Sequence, residues 1–339
     1  MANRDILAIG ASAGGVEALL SLAKQLPLNL PATVLITLHM ASEHESVLDD
    51  LLNRVGSLPA KFATENEQPR KANIYIAPPD RHLLLIDGRF VLGTGSRENN
   101  SRPAIDPMLR SVAMCCGPRA IGVVLTGTLG DGASGLWAID QCGGLTVVQD
   151  PSDAAFPDMP INALNRVRAD HVVTLAAMPK LLESLVLQPA GEAMPVPESI
   201  GFEISVARGA HSTVDDMDHH GRRSALACPD CHGVMWEFDE GELTRYRCHV
   251  GHTYTAEVMS VALDENLRRA LGSALRALEE RRALAERLEH QADANRQPLL
   301  AASWAKRSHE FKNELKIIRD AVERIDQLAT EHEIKSAAE

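Results

Sequence analysis

Short aliphatic runs alternate with helical stretches through the first 190 residues, and this alternation restricts the fold more than any other feature. A run that is apolar at every position must be covered on both faces, as happens in parallel sheets with helices on either side. The pattern predicts an α/β fold with a doubly wound, mostly parallel sheet. The predicted strands are 6–9, 33–38, 73–77, the hairpin pair 83–86 and 90–92, 120–126, 145–148 and 171–174. The predicted helices are 15–26, 44–54, 105–117, 132–142, 160–166 and 178–187.

The sequence changes character after residue 190, which ends the predicted α/β domain, 1–190. Residues 191–227 are rich in Pro, Gly, Glu, Asp and His with little periodicity, which predicts a linker, partly ordered around Phe202–Val206. Residues 228–255 form a compact Cys/His segment, and residues 256–335 have the pattern of two long helices. The chain is therefore expected to combine an α/β domain with smaller C-terminal parts.

Charge and composition restrict the partners and the compartment. A formal net charge of −12 argues against a nucleic-acid partner, because phosphate contact needs a basic field. No apolar stretch is long enough to cross a bilayer, and the first five residues lead into a strand without a signal peptide. Six cysteines do not resemble the dense framework of a secreted disulfide protein. We therefore expect a cytoplasmic protein with protein partners and no membrane insertion.

The sequence Gly10-Ala11-Ser12-Ala13-Gly14 lies between the first predicted strand and the first predicted helix. A serine on such a turn exposes its hydroxyl at the end of the strand, where helix amides can stabilise an oxyanion. The pattern indicates acyl transfer with Ser12 as the nucleophile. The other interpretations are a Rossmann-like dinucleotide site, a plain glycine-rich turn and an anion-binding helix start. A dinucleotide site is disfavoured because Ser12 replaces the second glycine and the next strand ends in His39 instead of an acid.

A serine nucleophile needs a base and an orienting carboxylate from neighbouring strand ends. His39 follows the second predicted strand, and Asp131 lies in the glycine-rich loop after strand 120–126. Parallel strands bring these ends to one rim of the sheet, where open α/β folds bind ligands. Alternatively, the histidine is a polar cap and the aspartate a turn former. The chain order Ser, His, Asp differs from that of α/β-hydrolases, but the roles depend on geometry.

Several segments together resemble the catalytic domain of CheB, the chemotaxis protein-glutamate methylesterase. The resemblance covers about residues 4–190, and its motifs are jointly specific. The segments that carry it are Gly10–Gly15, Leu38–Met40, Ile76–His82, Arg102–Asp106, Gly127–Gly135 and Pro157–Pro160.

The resemblance implies a serine hydrolase that needs no cofactor for catalysis. Such an enzyme removes methyl esters from receptor glutamates, releases methanol and often deamidates receptor glutamines. Ser12 would attack the ester, His39 would transfer its proton and Asp131 would orient the imidazole. By the same resemblance, the backbone N–H groups of Ala13 and Thr128 hold the oxyanion. Well-known members carry threonine and methionine at these two positions, a change that leaves the backbone donors in place.

The implied partners are methyl-accepting chemotaxis receptors or related signalling proteins. Well-known members carry a phosphorylatable receiver domain before the esterase, whereas here the esterase begins at Met1. We therefore expect constitutive activity, control by a separate partner, or control by the C-terminal extension. His82 resembles a position near the cleft, and no catalytic step is assigned to it. Two alternatives stay open: a non-catalytic signalling adaptor, and an esterase with a substrate outside chemotaxis.

The sequence Cys228-Pro-Asp-Cys231 is followed by sixteen residues and then by Cys248-His249-Val-Gly-His252. Two ligands from each of two knuckles match a tetrahedral structural zinc site. We predict Cys228, Cys231, Cys248 and His252 as its ligands, with His249 as the alternative fourth ligand. The residues between the knuckles alternate as in a β-hairpin, which predicts a zinc-ribbon-like segment. The alternatives are a C-x-x-C redox pair and a metal-free small sheet.

The two C-terminal helical stretches carry apolar residues mostly at helical or near-heptad spacing amid many charges. Leucines recur from Leu263 to Leu288 in the first stretch, and apolar residues recur from Trp304 to Ile325 in the second. An antiparallel helical hairpin within one chain, or a dimerising coiled coil, would bury both stripes. Self-association through these helices therefore stays open.

Overall fold

The computed structural model describes residues 2–40, 46–210, 212–240 and 243–336. Contacts divide the chain into two compact units, Met1–Met259 and Ser260–Glu339. Within the described ranges, no helix contains an apolar stretch of the length that a bilayer crossing requires.

A parallel sheet forms the centre of the first unit. The strands described up to residue 190 are β1 (Ile6–Ala11), β2 (Thr33–Leu38), β3 (Ala60–Phe62), β4 (Ile74–Ile76), β5 (His82–Ile86), β6 (Arg89–Gly93), β7 (Ala120–Val124), β8 (Leu145–Gln149) and β9 (His171–Val173). Seven of them pair in parallel in the order β3-β4-β2-β1-β7-β8-β9, while β5 and β6 form an antiparallel hairpin. The predicted α/β fold with a large parallel sheet is confirmed.

Helices pack on both faces of this sheet. Successive residues of β1 alternate between two core clusters, with Ala8 in one cluster and Leu7 and Ile9 in the other. Leu109 and Leu136 contribute helical side chains to the first cluster. Both faces of β1 are therefore dry, which is why its sequence is apolar at every position. The helices are α1 (Gly15–Ala23), α2 (Leu48–Val55), α3 (Ile105–Cys116), α4 (Ala133–Gln141), α5 (Asp158–Arg166) and α6 (Met178–Val186), with a short 3₁₀ turn at Gly117–Arg119.

The stretch predicted as a linker forms regular structure that continues into the Cys/His segment. Its elements are α7 (Glu198–Arg208), α8 (Val214–His220) and the strands β10 (Arg222–Ala227), β11 (Val234–Glu240), β12 (Leu243–Cys248) and β13 (Thr253–Thr255). The four strands pair antiparallel in sequence order, and β11 with β12 corresponds to the predicted hairpin. We call β10 to β13 the Cys/His sheet.

Helix α7 was not visible in the sequence because it is buried from two sides. Ile200 and Ile204 join the core of the α/β domain, whereas Phe202 packs against Trp236 and Phe238 of the Cys/His sheet. Apolar residues on different faces of one helix remove the single-face period that identifies amphipathic helices. Strand β3 was missed for a simpler reason, since it has three residues and one of them is Lys61.

A cluster of buried charges joins the Cys/His sheet to the α/β domain. Arg110 of α3 and Arg245 of β12 contact the same Glu98 oxygen, at 2.5 and 3.1 Å. Arg247 of β12 contacts Glu203 of α7, and every one of these side chains is at most 5% exposed. Burial raises the pKa of Glu98, but the neighbouring arginine charges outweigh burial and lower it to about 2. The contact therefore depends on the ionised carboxylate of Glu98.

Glu98→Gln is expected to lower the free energy of unfolding at pH 7 by about 3–5 kcal/mol, because buried arginines lose a counter-charge. The folded pKa of Glu98 lies below its ordinary value of 4.5, so its contribution is full above that pH and is lost as the pH falls toward 2. Denaturant unfolding between pH 7 and pH 3 checks both points, and the variant should lose less stability on acidification. Glu17→Gln, on the exposed part of α1, is the control, with an expected change within about 0.5 kcal/mol. Equal stability of the two variants would contradict this account.

Two long helices follow, α9 (Ala256–Ala294) and α10 (Pro298–Ser336). Glu279 pairs with Arg319 at 2.5 Å, and Ser308 donates to Glu286 at 3.4 Å. As residue numbers rise along α9 from 279 to 286, the numbers of the contacted residues in α10 fall from 319 to 308. The two helices therefore run antiparallel within the chain. Self-association stays a prediction.

Candidate active site

Ser12 lies on the turn between β1 and α1. Gly14 precedes the helix with φ 71°, in the left-handed region that glycine adopts without a steric penalty. The N–H of Ser12 donates to the carbonyl of Thr126 at 3.0 Å, and the N–H of Gly15 donates to the carbonyl of Ser12 at 2.8 Å. These bonds fix a half-buried Ser12 at the carboxyl end of the central strand.

The imidazole of His39 lies between the side chains of Ser12 and Asp131 and contacts both. Nδ1 of His39 is 3.0 Å from Oγ of Ser12, and Nε2 is 2.7 Å from Oδ2 of Asp131. The backbone N–H of His39 donates to the carbonyl of Ala11 at 3.2 Å, which ties the end of β2 to the serine turn. In chymotrypsin-type sites the two ring nitrogens have the opposite partners, but either nitrogen can accept the serine proton while the other donates to a carboxylate. The arrangement can therefore activate a serine hydroxyl.

The Asp131 carboxylate is 2% exposed and receives many hydrogen bonds. Oδ2 also accepts from the N–H of Ile105 at 2.6 Å, and Oδ1 accepts from Asn99, Asp106 and Gly132 at 3.0 to 3.2 Å. Burial raises its pKa, but the hydrogen bond and charge of His39, with the other donors, hold the pKa well below its usual range. Asp131 is therefore a fixed anion beside the imidazole, which suits an orienting group.

The backbone N–H groups of Ala13 and Thr128 have no hydrogen-bond acceptor among the residues that the structure describes, and the same holds for the N–H of Gly14. Ala13 directly follows the serine. Thr128 follows Gly127, where an added Cβ would lie 2.8 Å from Cβ of Ser12 and 2.1 Å from Sδ of Met159. The absence of a side chain at Gly127 thus lets this loop approach the serine. Unpaired N–H groups beside a nucleophile are suited to bind the oxygen of an ester or its tetrahedral intermediate.

Sequence reasoning missed the donors that hold Asp131. Asn99 lies in the loop after β6, with φ 49°, a conformation that asparagine tolerates. Ile105 and Asp106 begin α3, and their N–H groups face the carboxylate. Asp106 is itself fully buried, and burial together with the charge of Asp131 raises its pKa well above the usual range. The Asn99-Asn100 pair signals a turn in the sequence, but nothing there indicates which carboxylate it contacts.

His82 is a structural residue. Its side chain is fully buried, its Nδ1 accepts the N–H of Ala104 at 3.2 Å, and its Nε2 lies 3.0 Å from the carbonyl of Ser96. This pairing fixes a neutral imidazole with the proton on Nε2. Burial lowers the pKa of His82, which agrees with a neutral ring.

A second group of side chains lies at the ends of β11 and β12. The Sγ atoms of Cys228, Cys231 and Cys248 and one ring nitrogen of His252 all lie within 4.8 Å of one another. Cys231 and Cys248 are 3.6 Å apart at Sγ, and Cys248 Sγ is 3.5 Å from Nδ1 of His252. Tetrahedral ligands about 2.3 Å from a zinc ion are separated by about 3.7 Å. The donor set and its spacing therefore fit a zinc ion.

The surroundings of this group favour His252 over His249 as the nitrogen ligand. Nε2 of His252, on the far side of the ring from the thiols, lies 3.8 Å from Oδ2 of Asp230. Carboxylates commonly take this place behind a metal-bound histidine. His249 instead lies beside Gly233, where an added Cβ would be 3.3 Å from its Cε1. His249 is not in the four-residue group.

Comparisons with known proteins match the first half of the chain. The family model for CheB methylesterase matches residues 7–182. A putative protein-glutamate methylesterase/protein-glutamine glutaminase of Leptospira interrogans is 34% identical over 180 residues, which is 53% of this chain and 93% of that protein. Protein-glutamate methylesterase/protein-glutamine glutaminase 2 of Shewanella oneidensis is 39% identical over 188 residues, which is 54% of this chain and 53% of that protein.

A solved structure agrees with the sequence matches. The crystal structure of the Thermotoga maritima CheB methylesterase catalytic domain is similar with a TM-score of 0.52 and 31% sequence identity. The similarity covers 55% of this chain and 100% of that one. By its sequence and its fold, the chain belongs to the CheB methylesterase family.

Proposed function

We propose that this protein hydrolyses glutamate methyl esters on chemotaxis receptors in the cytoplasm and also deamidates receptor glutamines. Family membership makes it a carboxylic ester hydrolase. The names of its relatives combine methylesterase and glutaminase activity. The observation that carries the proposal is the hydrogen-bonded chain from Oγ of Ser12 through His39 to Asp131.

In the first half of the reaction, Oγ of Ser12 attacks the ester carbonyl while Nδ1 of His39 takes the hydroxyl proton. Asp131 stabilises the imidazolium without accepting its proton. The N–H groups of Ala13 and Thr128 hold the oxyanion of the tetrahedral intermediate. When the intermediate collapses, the bond to the methoxy oxygen breaks, and His39 protonates that oxygen so that methanol leaves.

In the second half, water replaces methanol. Nδ1 of His39 takes a proton from the water as it attacks the acyl carbon, and the second tetrahedral intermediate forms in the same oxyanion site. Its collapse breaks the bond to Oγ of Ser12, which regains a proton from His39. The products are a receptor glutamate and the free enzyme. With a glutamine side chain the same steps release ammonia in place of methanol.

The test of this proposal is methanol release from methylated receptor signalling domains, measured for the full chain and for Ser12→Ala. Release that stops in the variant supports both the activity and the nucleophile. Labelling of Ser12 by a fluorophosphonate, read by mass spectrometry, reports whether the serine is activated independently of the substrate. Labelling without methanol release would point to an ester outside chemotaxis, and the absence of both from folded protein would point to an adaptor.

We infer that the Cys/His group holds a structural zinc ion. The fit of its atoms to a tetrahedron supports this, as does the ligand set of three cysteines and one histidine. Four protein ligands leave no open position for a substrate, so the ion has no step in ester hydrolysis. With its ion, the four-stranded Cys/His sheet is a zinc ribbon.

Zinc analysis of the purified chain is expected to give about one ion per chain, because a closed four-ligand site binds zinc tightly. Cys231→Ser should weaken zinc binding at least about tenfold, since the hydroxyl of serine is a poorer zinc ligand than a thiolate. Competition with a chelator, followed by metal analysis, measures both values. Cys115→Ser is the matched control, because this half-buried cysteine of α3 lies outside the group. Equal zinc retention by the two variants would contradict the site.

A further inference from the structure

Strand β13 of the Cys/His sheet is joined to a loop of the α/β domain by main-chain contacts. The N–H of Asn99 donates to the carbonyl of Thr253 at 2.8 Å, and Glu98 forms a parallel bridge with Thr253. Earlier in the same loop, Oγ of Ser96 donates to the carbonyl of Val250 at 2.8 Å, in the turn that precedes β13. Hydrogen bonds therefore hold the loop 96–99 against the Cys/His sheet.

The side chain of Asn99 connects this strand to the candidate active site. Its Oδ1 accepts the N–H of Thr255 at 3.1 Å, while its Nδ2 donates to Oδ1 of Asp131 at 3.0 Å and to Oδ2 of Asp106 at 3.2 Å. The residue is 4% exposed, so water does not replace these partners. If the amide turned over, its oxygen would face two carboxyl groups and its NH₂ would face an N–H. The N–H of Thr255 and the two carboxyl groups together therefore determine the direction in which Asn99 donates.

The proposed metal ligands lie at both ends of the turn that leads into β13. Cys248 is the last residue of β12, and His252 directly precedes β13. Thr255 is three residues beyond His252, about 10 Å along an extended strand. Two backbone bonds close this turn, the longer of them 3.1 Å between the N–H of Cys248 and the carbonyl of His252, and the hydroxyl of Thr253 adds a bond to the carbonyl of Gly251 at 3.0 Å. A metal ion bound by Cys248 and His252 would add a further constraint across the turn. That constraint would act on the segment that leads into the contact between β13 and Asn99.

We propose that Asn99 is a positioning residue for Asp131, and that metal bound to the Cys/His sheet accelerates the reaction of Ser12 by holding β13 against Asn99. The inference rests on the proposed function and on the proposed zinc site. The order of action is metal, β13, Asn99, Asp131 and His39, and neither the metal nor Asn99 touches the substrate. A displacement of about 1 Å in such an arrangement costs about 10²-fold in rate.

The test uses the rate at which a fluorophosphonate labels Ser12 in the full chain. In this reaction the Ser12 oxygen bonds to phosphorus, fluoride leaves and His39 takes the proton, so the rate reports the serine, histidine and aspartate without a receptor. Asn99→Gly removes the amide and tolerates the positive φ. The variant is expected to be labelled about 10²-fold more slowly, with zinc content unchanged. In methanol release its kcat should fall by the same factor with KM unchanged.

Asn100→Gly is the matched control, because Asn100 is the next residue, is exposed and also has a positive φ of 63°. It should be labelled at the rate of the unmodified chain. Asn99→Asp is a second variant that keeps the size of the side chain and the acceptor for Thr255. Because it removes the donor to Asp131, it should also be labelled slowly, so the test does not depend on the folding of one variant.

Zinc removal and the Asn99→Gly substitution are also combined, as the two perturbations of a double-mutant cycle. Chelation, verified by metal analysis, should slow labelling of the unmodified chain about 10²-fold, and readdition of zinc should restore the rate. In Asn99→Gly, chelation should have little further effect, because the pathway is already interrupted. Equal slowing of both chains by chelation, or an Asn99→Gly variant that is labelled at the normal rate, would overturn the inference. Absence of methanol release with this labelling pattern intact would overturn the proposed substrate and leave the inference standing.

Discussion

Ser12→Ala is expected to lower kcat for methanol release by about 10⁴- to 10⁶-fold, the range found when a serine nucleophile is removed from a triad. The loss is large because His39 has no hydroxyl left to activate, while the proposed oxyanion donors, the N–H groups of Ala13 and Thr128, are unchanged by the substitution. KM is therefore expected to change much less than kcat. Methanol release and melting temperature, measured on the same samples, check the prediction.

Ser21→Ala is the matched control for this substitution. Ser21 lies on α1, nine residues beyond the nucleophile, and it is about as exposed as Ser12. This variant should retain full activity. Residual turnover by Ser12→Ala above about one hundredth of the normal kcat would show that another group attacks the ester.

Asp131→Asn is expected to lower kcat by about 10⁴-fold, because an amide donates where the carboxylate accepts and so stabilises the wrong tautomer of His39. Stability should fall as well. The two oxygens of Asp131 accept from four groups besides His39, and an NH₂ in place of one oxygen would face several of these donors. The loss of such buried bonds is expected to cost about 1–3 kcal/mol. Methanol release and denaturant unfolding measure the two effects separately.

Asp170→Asn distinguishes the catalytic effect from the structural one. Asp170 also accepts backbone and hydroxyl hydrogen bonds, from Thr146, but it precedes β9 and so lies at the opposite end of the sheet. We expect this control to lose some stability and to keep its kcat. If Asp131→Asn retained more than about a tenth of the normal kcat, Asp131 would not be the orienting group.

The fold of the α/β domain could be predicted because the apolar pattern of each main strand matches the burial of that strand. Strand β1 is buried on both faces, and its sequence is apolar at every position. The Cys/His sheet gave a weaker signal, because Arg245 and Arg247 have the alternation of a strand with one solvent-facing side, yet both are fully buried. Their counter-charges, Glu98 and Glu203, are distant in the sequence. No local pattern could indicate that these side chains meet.

The residues of the candidate site also divide into those that the strand pattern indicates and those placed by contacts distant in the sequence. Ser12, His39 and Asp131 each follow a strand, so the rule that parallel strands end at one rim was sufficient to group them. Asn99 follows no strand of the main sheet, and its contact with Asp131 depends on β13, which is more than 150 residues away in the sequence. Sequence periodicity describes faces of single elements. It does not describe contacts made by a loop between two sheets.

The buried charge cluster also determines where this protein can be divided. The family match ends at residue 182, but the compact unit continues to Met259. A fragment cut at the end of the family match would keep Glu98 and Arg110 and would lose Arg245, Arg247 and Glu203. The homology boundary and the folding boundary are therefore different positions. An expression fragment, a domain exchange or a gene fusion that respects the first and ignores the second would leave the pair of Glu98 and Arg110 without its buried partner Arg245.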